Sequence, residues 1–212
     1  QDAERTMFFL DQVGKYVVLR SLAAVNKQGG VSSSCAVHEG YRLWSDREGC
    51  LPDAFTLQET LKTTVAEALQ HSLIDYDFLH DDYRFDVYFE EGNTLVRGWA
   101  QQSLQLNKEH LSYSVTPNFQ VTLPFDFTVY QQIIKSVKER IDCIQHIEYN
   151  PLVDDDQMIT KACGFGIFAW KITKQGAYAF FTVTKPEWVL LGEKITIQFA
   201  IDLNSFGASQ LL

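Results

Sequence analysis

Residues equipped for chemistry are sparse in this chain: five histidines, four cysteines and one dense acidic run, DYDFLHDD, at residues 75–82. The run gathers Asp75, Asp77, His80, Asp81 and Asp82. Oxygen-rich clusters suit calcium, but an EF-hand loop opening at Asp75 would need a third oxygen ligand where Leu79 stands and a glycine where His80 stands. The motif fails, and a solvated turn between a helix and a strand is the plainer reading. Asp154-Asp155-Asp156, just after Pro151, reads the same way. The group Asp75, Asp77, Asp81 and Asp82 is retained as the acidic site of one alternative, a secreted hydrolase.

Hydrolysis by a nucleophile would need Ser or Cys beside a histidine and an acid, and a two-carboxylate mechanism would need both acids facing one cleft. No G-x-S-x-G elbow or comparable local signature assembles such a set. His38, His71, His80, His110 and His146 are scattered. Each reads as a surface or capping residue rather than a general base. Gly164-Phe165-Gly166 is a fragment of a phosphate-loop spacing without the third glycine or a following helix. It reads more simply as a strand with something packed close to its backbone. No catalytic residue, cofactor or metal ligand is assigned.

The cysteines, Cys35, Cys50, Cys143 and Cys163, form no C-x-x-C pair, and no histidine stands at zinc-ligand spacing from them. An even number at separated positions allows two disulfides in any of three connectivities. Cys35 with Cys50 and Cys143 with Cys163 is preferred, because each pair closes a short local loop. A loop of about 15 residues is worth roughly 3 kcal/mol in the chain-entropy model, a large share of a folding stability of about 5–15 kcal/mol. Four reduced, buried thiols in a cytosolic protein are the alternative.

With 212 residues, 46% of them hydrophobic and 13% aromatic, the chain can bury a substantial core. No repeat, linker or low-complexity tract divides it, and a single ectodomain-like domain over 1–212 is expected. Its net charge of −9, from 27 acids and 18 bases, disfavours binding to a phosphate backbone, which needs clustered Lys and Arg. Nucleic acid is excluded as an expected partner. No apolar run approaches the roughly 20 residues of a membrane span, since Asp11, Lys15 and Arg20 interrupt the best candidate. The chain opens on Gln1 rather than Met and shows no signal peptide, which fits the loss of upstream residues.

The elements follow from periodicity. Between about residues 6 and 27, Phe9, Val13, Tyr16, Val17, Leu19, Leu22, Ala23 and Val25 recur at helical spacing, and Gln28-Gly29-Gly30 supplies a left-handed stop. Residues 31–53 read as an irregular loop restrained by a disulfide, with a hairpin around HEGYRLWS. A second helix over 53–73 carries Phe55, Leu57, Leu61, Val65, Leu69 and Leu73, capped by Asp53 or Thr56. Residues 83–125 read as an antiparallel meander of three or four strands, with Phe85, Val87 and Phe89 on one face and turns at EEGN and NKEH. Ile133, Ile134, Val137, Ile141 and Ile144 predict one long third helix ending at Asn150-Pro151. Residues 163–203 return to strands. The order points to an α+β fold, antiparallel sheet packed with about three helices. The tail aromatics Phe165, Phe168, Trp170, Tyr178, Phe180, Phe181 and Trp188 are expected mostly in the core, with some left outside as a partner surface if the sheet has a solvent face.

The stretch VGKYVVLRSLAAVNKQGGV resembles the start of uncharacterised, membrane-anchored surface proteins of small-genome archaea, whose ectodomains begin with a helix running into a Gln-Gly-Gly turn. LSYSVTPNFQVTLPFDFTVYQQIIKSVKERI and GEKITIQFAIDL are similar to them in pattern only. Those proteins often carry a cysteine early in the first helix. None stands between Gln1 and Ser34 here, so their disulfide scheme does not carry over. The resemblance implies an extracellular or cell-surface location, with the membrane engaged only through an anchor upstream of Gln1. It brings no activity and no catalytic residue. The expected function is that of a non-enzymatic extracytoplasmic surface protein, acting through a protein partner or self-assembly, including packing of the first helix against neighbours.

Overall fold

The fold is that of a computed structural model, which describes residues 2–45, 50–74, 83–90, 92–108, 111–147, 155–190 and 192–206. Among them the chain forms five α-helices and twelve β-strands, an α+β fold. They divide into two compact units, Gln1–Leu22 with Leu61–Asp126, and Ala23–Thr60 with Phe127–Leu212. Helices α1 (Asp2–Lys27) and α2 (Ala54–Ser72) contribute residues to both.

In the first unit, β3 (Tyr83–Glu90), β4 (Asn93–Ala100) and β7 (Asn118–Leu123) form an antiparallel sheet in the order β3-β4-β7. The strand period of two puts Phe85, Val87 and Phe89 in register with Gly98, Val96 and Thr94, and these with Phe119, Val121 and Leu123. This is the face expected to be apolar. Thr94 stands among them with its buried hydroxyl donating to the Phe125 carbonyl at 2.8 Å. On the other face Arg97 donates to Gln120 at 2.9 Å and lies 5.6 Å over the Tyr88 ring.

The expected meander is broken. Among the described residues β5 (Leu104–Lys108) and β6 (Leu111–Val115) pair only with each other, and β7 returns to the far edge of β4. Glycine sets a close approach in this unit: a Cβ on Gly14 of α1 would lie 2.6 Å from Phe119 Cγ, and one on Gly98 would lie 2.5 Å from Phe119 Cζ. The Phe119 ring fills the space that both glycines leave.

The second unit is built on a five-stranded sheet in the order β1-β2-β12-β9-β8: β1 (Val37–His38), β2 (Tyr41–Trp44), β12 (Ile197–Asp202), β9 (Tyr178–Thr184) and β8 (Ala169–Gln175). All pairs are antiparallel except β12 with β2. The hairpin expected around HEGYRLWS is β1–β2. Its turn residues Glu39 and Gly40 both have positive φ, 48° and 85°, the requirement of a type I′ turn. A row of rings crosses the inner face: Trp44 stacks on Phe199 at 3.5 Å, Phe199 on Phe181 at 4.7 Å, and Trp170 meets Phe181 edge-on at 6.2 Å. Phe165, Phe168, Phe180 and Trp188 are buried as well. Six of the seven tail aromatics are therefore core, as most were expected to be, and Tyr178 is half-buried against the His38 ring.

The Gln-Gly-Gly stop forms as expected. The Gly30 N–H bonds to the Val25 carbonyl and Gly29 N–H to Asn26, a Schellman cap with Gly29 at φ 71°. The turn is driven into the core: the Gly29 carbonyl accepts the Trp44 indole N–H at 2.9 Å, and a Cβ on Gly30 would sit 2.7 Å from both Leu57 Cδ2 and Tyr130 Cζ. The buried face of α1, with Leu10, Val17, Val18, Leu22 and Val25, is thus covered by this chain itself. Helix α2 is capped by Asp53, whose carboxylate accepts the Thr56 N–H at 2.7 Å. Phe55 is off its buried stripe and 72% exposed.

The single long third helix is corrected to two, α3 (Val129–Lys138) and α4 (Ile141–His146). No proline or glycine lies at the break. Arg140 leaves helical geometry at φ −121°, and its side chain donates to the Ser136 and Gly164 carbonyls and lies 5.3 Å over Phe165. A fifth helix, α5 (Asp155–Ala162), was not anticipated, and Asp155 and Asp156 belong to it rather than to a turn. Asn150 and Pro151 lie outside the described residues.

Candidate functional site

The two disulfides join Cys35 to Cys50 and Cys143 to Cys163, with Cα separations of 5.6 and 5.7 Å, and no cysteine is free. They close the two shorter loops. Within the first, Arg42 pins the backbone by donating to the Ser33 and Cys35 carbonyls, both at 2.7 Å. Two disulfides fit an oxidising environment of the extracellular kind.

Among the described residues the remaining chemical side chains do not converge. Asp75, Asp77, His80, Asp81, Asp82, His110 and Asp154 lie outside the described residues. Among the described residues no three His, Cys, Asp or Glu side chains could hold a metal ion. His38 stacks on the Tyr178 ring at 3.9 Å, and His146 Nδ1 lies 2.7 Å from the Asp142 carbonyl on its own helix. Both have structural partners. Burial pushes the Tyr130 phenol well above its ordinary value, and its hydroxyl donates to the Asn26 carboxamide oxygen. The exposed Tyr88 phenol is raised by donating to the Asp86 carboxylate at 3.0 Å.

A different kind of site lies after α5. Gly164 and Gly166 do not form the strand expected there, and nothing lies within 4 Å of a Cβ built on either. Instead Phe165 N–H bonds to the Thr160 carbonyl and Gly164 N–H to Lys161, with Gly164 at φ 65°, so the helix ends in another Schellman cap. The chain then turns at once. Phe168 N–H bonds to the Gly166 carbonyl at 2.6 Å, and Ile167 between them has φ 59°. This is a γ-turn of the rarer, positive-φ hand. A β-branched residue there costs on the order of 1–3 kcal/mol and persists only where the surroundings impose it.

The surroundings do impose it. The Trp170 indole N–H donates to the Gly166 carbonyl at 3.1 Å, Arg140 Nε donates to the Gly164 carbonyl at 3.2 Å, and the Cys143–Cys163 bond anchors the entry. Phe165, Phe168, Trp170 and Trp188 form the floor, with the Lys185 ammonium 5.2 Å over Phe168 and 5.9 Å over Trp188. Lys185 also pairs with Glu187 at 3.4 Å; the Glu187 carboxyl is lowered first by its own backbone N–H and then by that lysine. The result is an isoleucine 77% exposed on a turn tied down by two side-chain hydrogen bonds and a disulfide. Nothing in GFGIF signals this, because positive φ at isoleucine contradicts local preference.

Compared with protein-family models, curated proteins and solved structures, the chain matches none. Among the described residues no helix is long and apolar enough to cross a membrane.

Proposed function

We propose that this is a non-enzymatic extracytoplasmic surface protein that works through protein–protein contacts. The observation that carries the reading is Ile167, a large apolar side chain presented at the tip of a strained, disulfide-anchored turn. A strained backbone held in place by its surroundings points to a functional role for the residue it presents, and at an exposed isoleucine that role is read as contact. The two disulfides support a location outside the reducing cytosol. The resemblance of the first helix to anchored archaeal surface proteins supports placement at a cell surface.

A photo-crosslinking amino acid at position 167, in the producing cells, tests the contact. The expected result is a discrete protein adduct that is missing when the same probe stands at Gln131, on the exposed side of α3. Equal labelling at both positions, or four free thiols in protein isolated under thiol-trapping conditions, overturns the reading.

A further inference from the structure

The β5–β6 hairpin has the structure of half an interface. Its two strands pair from Leu104–Val115 to Lys108–Leu111, and among the described residues no third strand joins either. An isolated two-stranded hairpin is marginal in water, and three or more strands are needed for independent stability. Among the described side chains Gln105, Ser112 and Ser114 are exposed on one face, and on the other Tyr113 is 43% exposed while Leu104 and Val115 are half-buried.

The outer edge of β6 also lacks the features that block strand addition. Leu111–Val115 contains no charge and no proline. Its sequence, LSYSV, is close to palindromic. Antiparallel pairing with an identical strand, centred on Tyr113, sets Leu111 opposite Val115, Ser112 opposite Ser114, and Tyr113 opposite itself. Each is a favourable cross-strand pair, and the two-fold axis makes the contact isologous and closed. The β5 edge has no such match, since LQLNK centred on Leu106 sets Leu104 against Lys108.

We propose that β6 pairs with β6 of a second copy of this chain, making a four-stranded sheet across a two-fold axis at Tyr113. The inference rests on the contact reading above and names one partner, the chain itself. A single strand pair makes a small interface, so the dimer is weak and concentration-dependent.

Sedimentation velocity of the full chain from micromolar to millimolar concentration is expected to show monomer passing to dimer. Tyr113→Lys and Tyr113→Glu each abolish the dimer by placing like charges across the axis, and an equimolar mixture of the two recovers it, which a folding defect would not do. Because the chain has no free cysteine, Tyr113→Cys gives a clean covalent dimer on mild oxidation, whereas Gln105→Cys does not. A monomer at every concentration, a dimer that survives both charge variants, or crosslinking favoured at position 105 overturns the β6 pairing. Any of these leaves the adduct at position 167 as a separate measurement, so the two readings fail independently.

Discussion

The Tyr130 hydroxyl donates to the Asn26 carboxamide oxygen at 2.7 Å, with both side chains wholly buried and 104 residues apart in the chain. It ties the last turn of α1 to the first of α3. The Asn26 Nδ2 has no hydrogen-bond partner among the described residues, so this one bond offsets the desolvation of two polar groups.

Removing either partner alone should therefore cost more than removing both. Tyr130→Phe and Asn26→Leu each leave a buried polar group unpaired, at about 1–3 kcal/mol. The double variant should lose less than the sum. Urea unfolding of the four proteins measures the coupling, and strict additivity would contradict the bond.

Stability should also fall at alkaline pH. The unfolded chain releases a tyrosine proton near pH 10, whereas burial makes folded Tyr130 hold its proton well above that. Ionisation above about pH 10 thus favours the unfolded chain. The contribution is whole below that pH and lost as pH rises through the folded value. Tyr130→Phe should flatten the alkaline limb by up to about 1.4 kcal/mol per pH unit, measured by denaturant melts at stepped pH.

Gly14→Ala should destabilise although alanine is the better helix former by about 1 kcal/mol. The new Cβ would meet a Phe119 ring whose far edge already touches Gly98, so the ring has nowhere to retreat. A net loss of about 1–3 kcal/mol is expected from overpacking. Adding Phe119→Leu should restore part of it. Thermal melts of the single and double variants decide the sign.

Replacing Cys143 and Cys163 by alanine opens a loop of 20 residues. Roughly 3 kcal/mol of stability is expected to go with it. The local consequence is more specific: without its anchor the turn at Ile167 should relax, and limited proteolysis should cut between residues 164 and 168 first. Equal cutting with and without the bond would show that Trp170 and Arg140 hold the turn alone.

What the sequence conveys and what it conceals divide along the range of the forces involved. Leu57, Leu61, Val65, Leu69 and Leu73 announce α2, and Phe85, Val87 and Phe89 announce a strand face, because periodicity is local. Gly29 announces a stop for the same reason. The break at Arg140 carries no local signal, as it comes from a side chain reaching Gly164 and a cysteine reaching Cys163. The pairing of Leu43 with Ala200 carries none either. The candidate site is the least readable feature, since Ile167 takes a conformation that its own residue type opposes.

The place of β12 has a consequence for biosynthesis. It is the middle strand of its sheet, and of the five it comes last in chain order. Strands β1 and β2 leave the ribosome early and have no sheet to join until some 150 further residues have been translated. Their half of the core, Trp44 included, must be kept from wrong partners through that interval. The Cys35–Cys50 bond, which closes from residues made early, can hold the hairpin in shape while it waits.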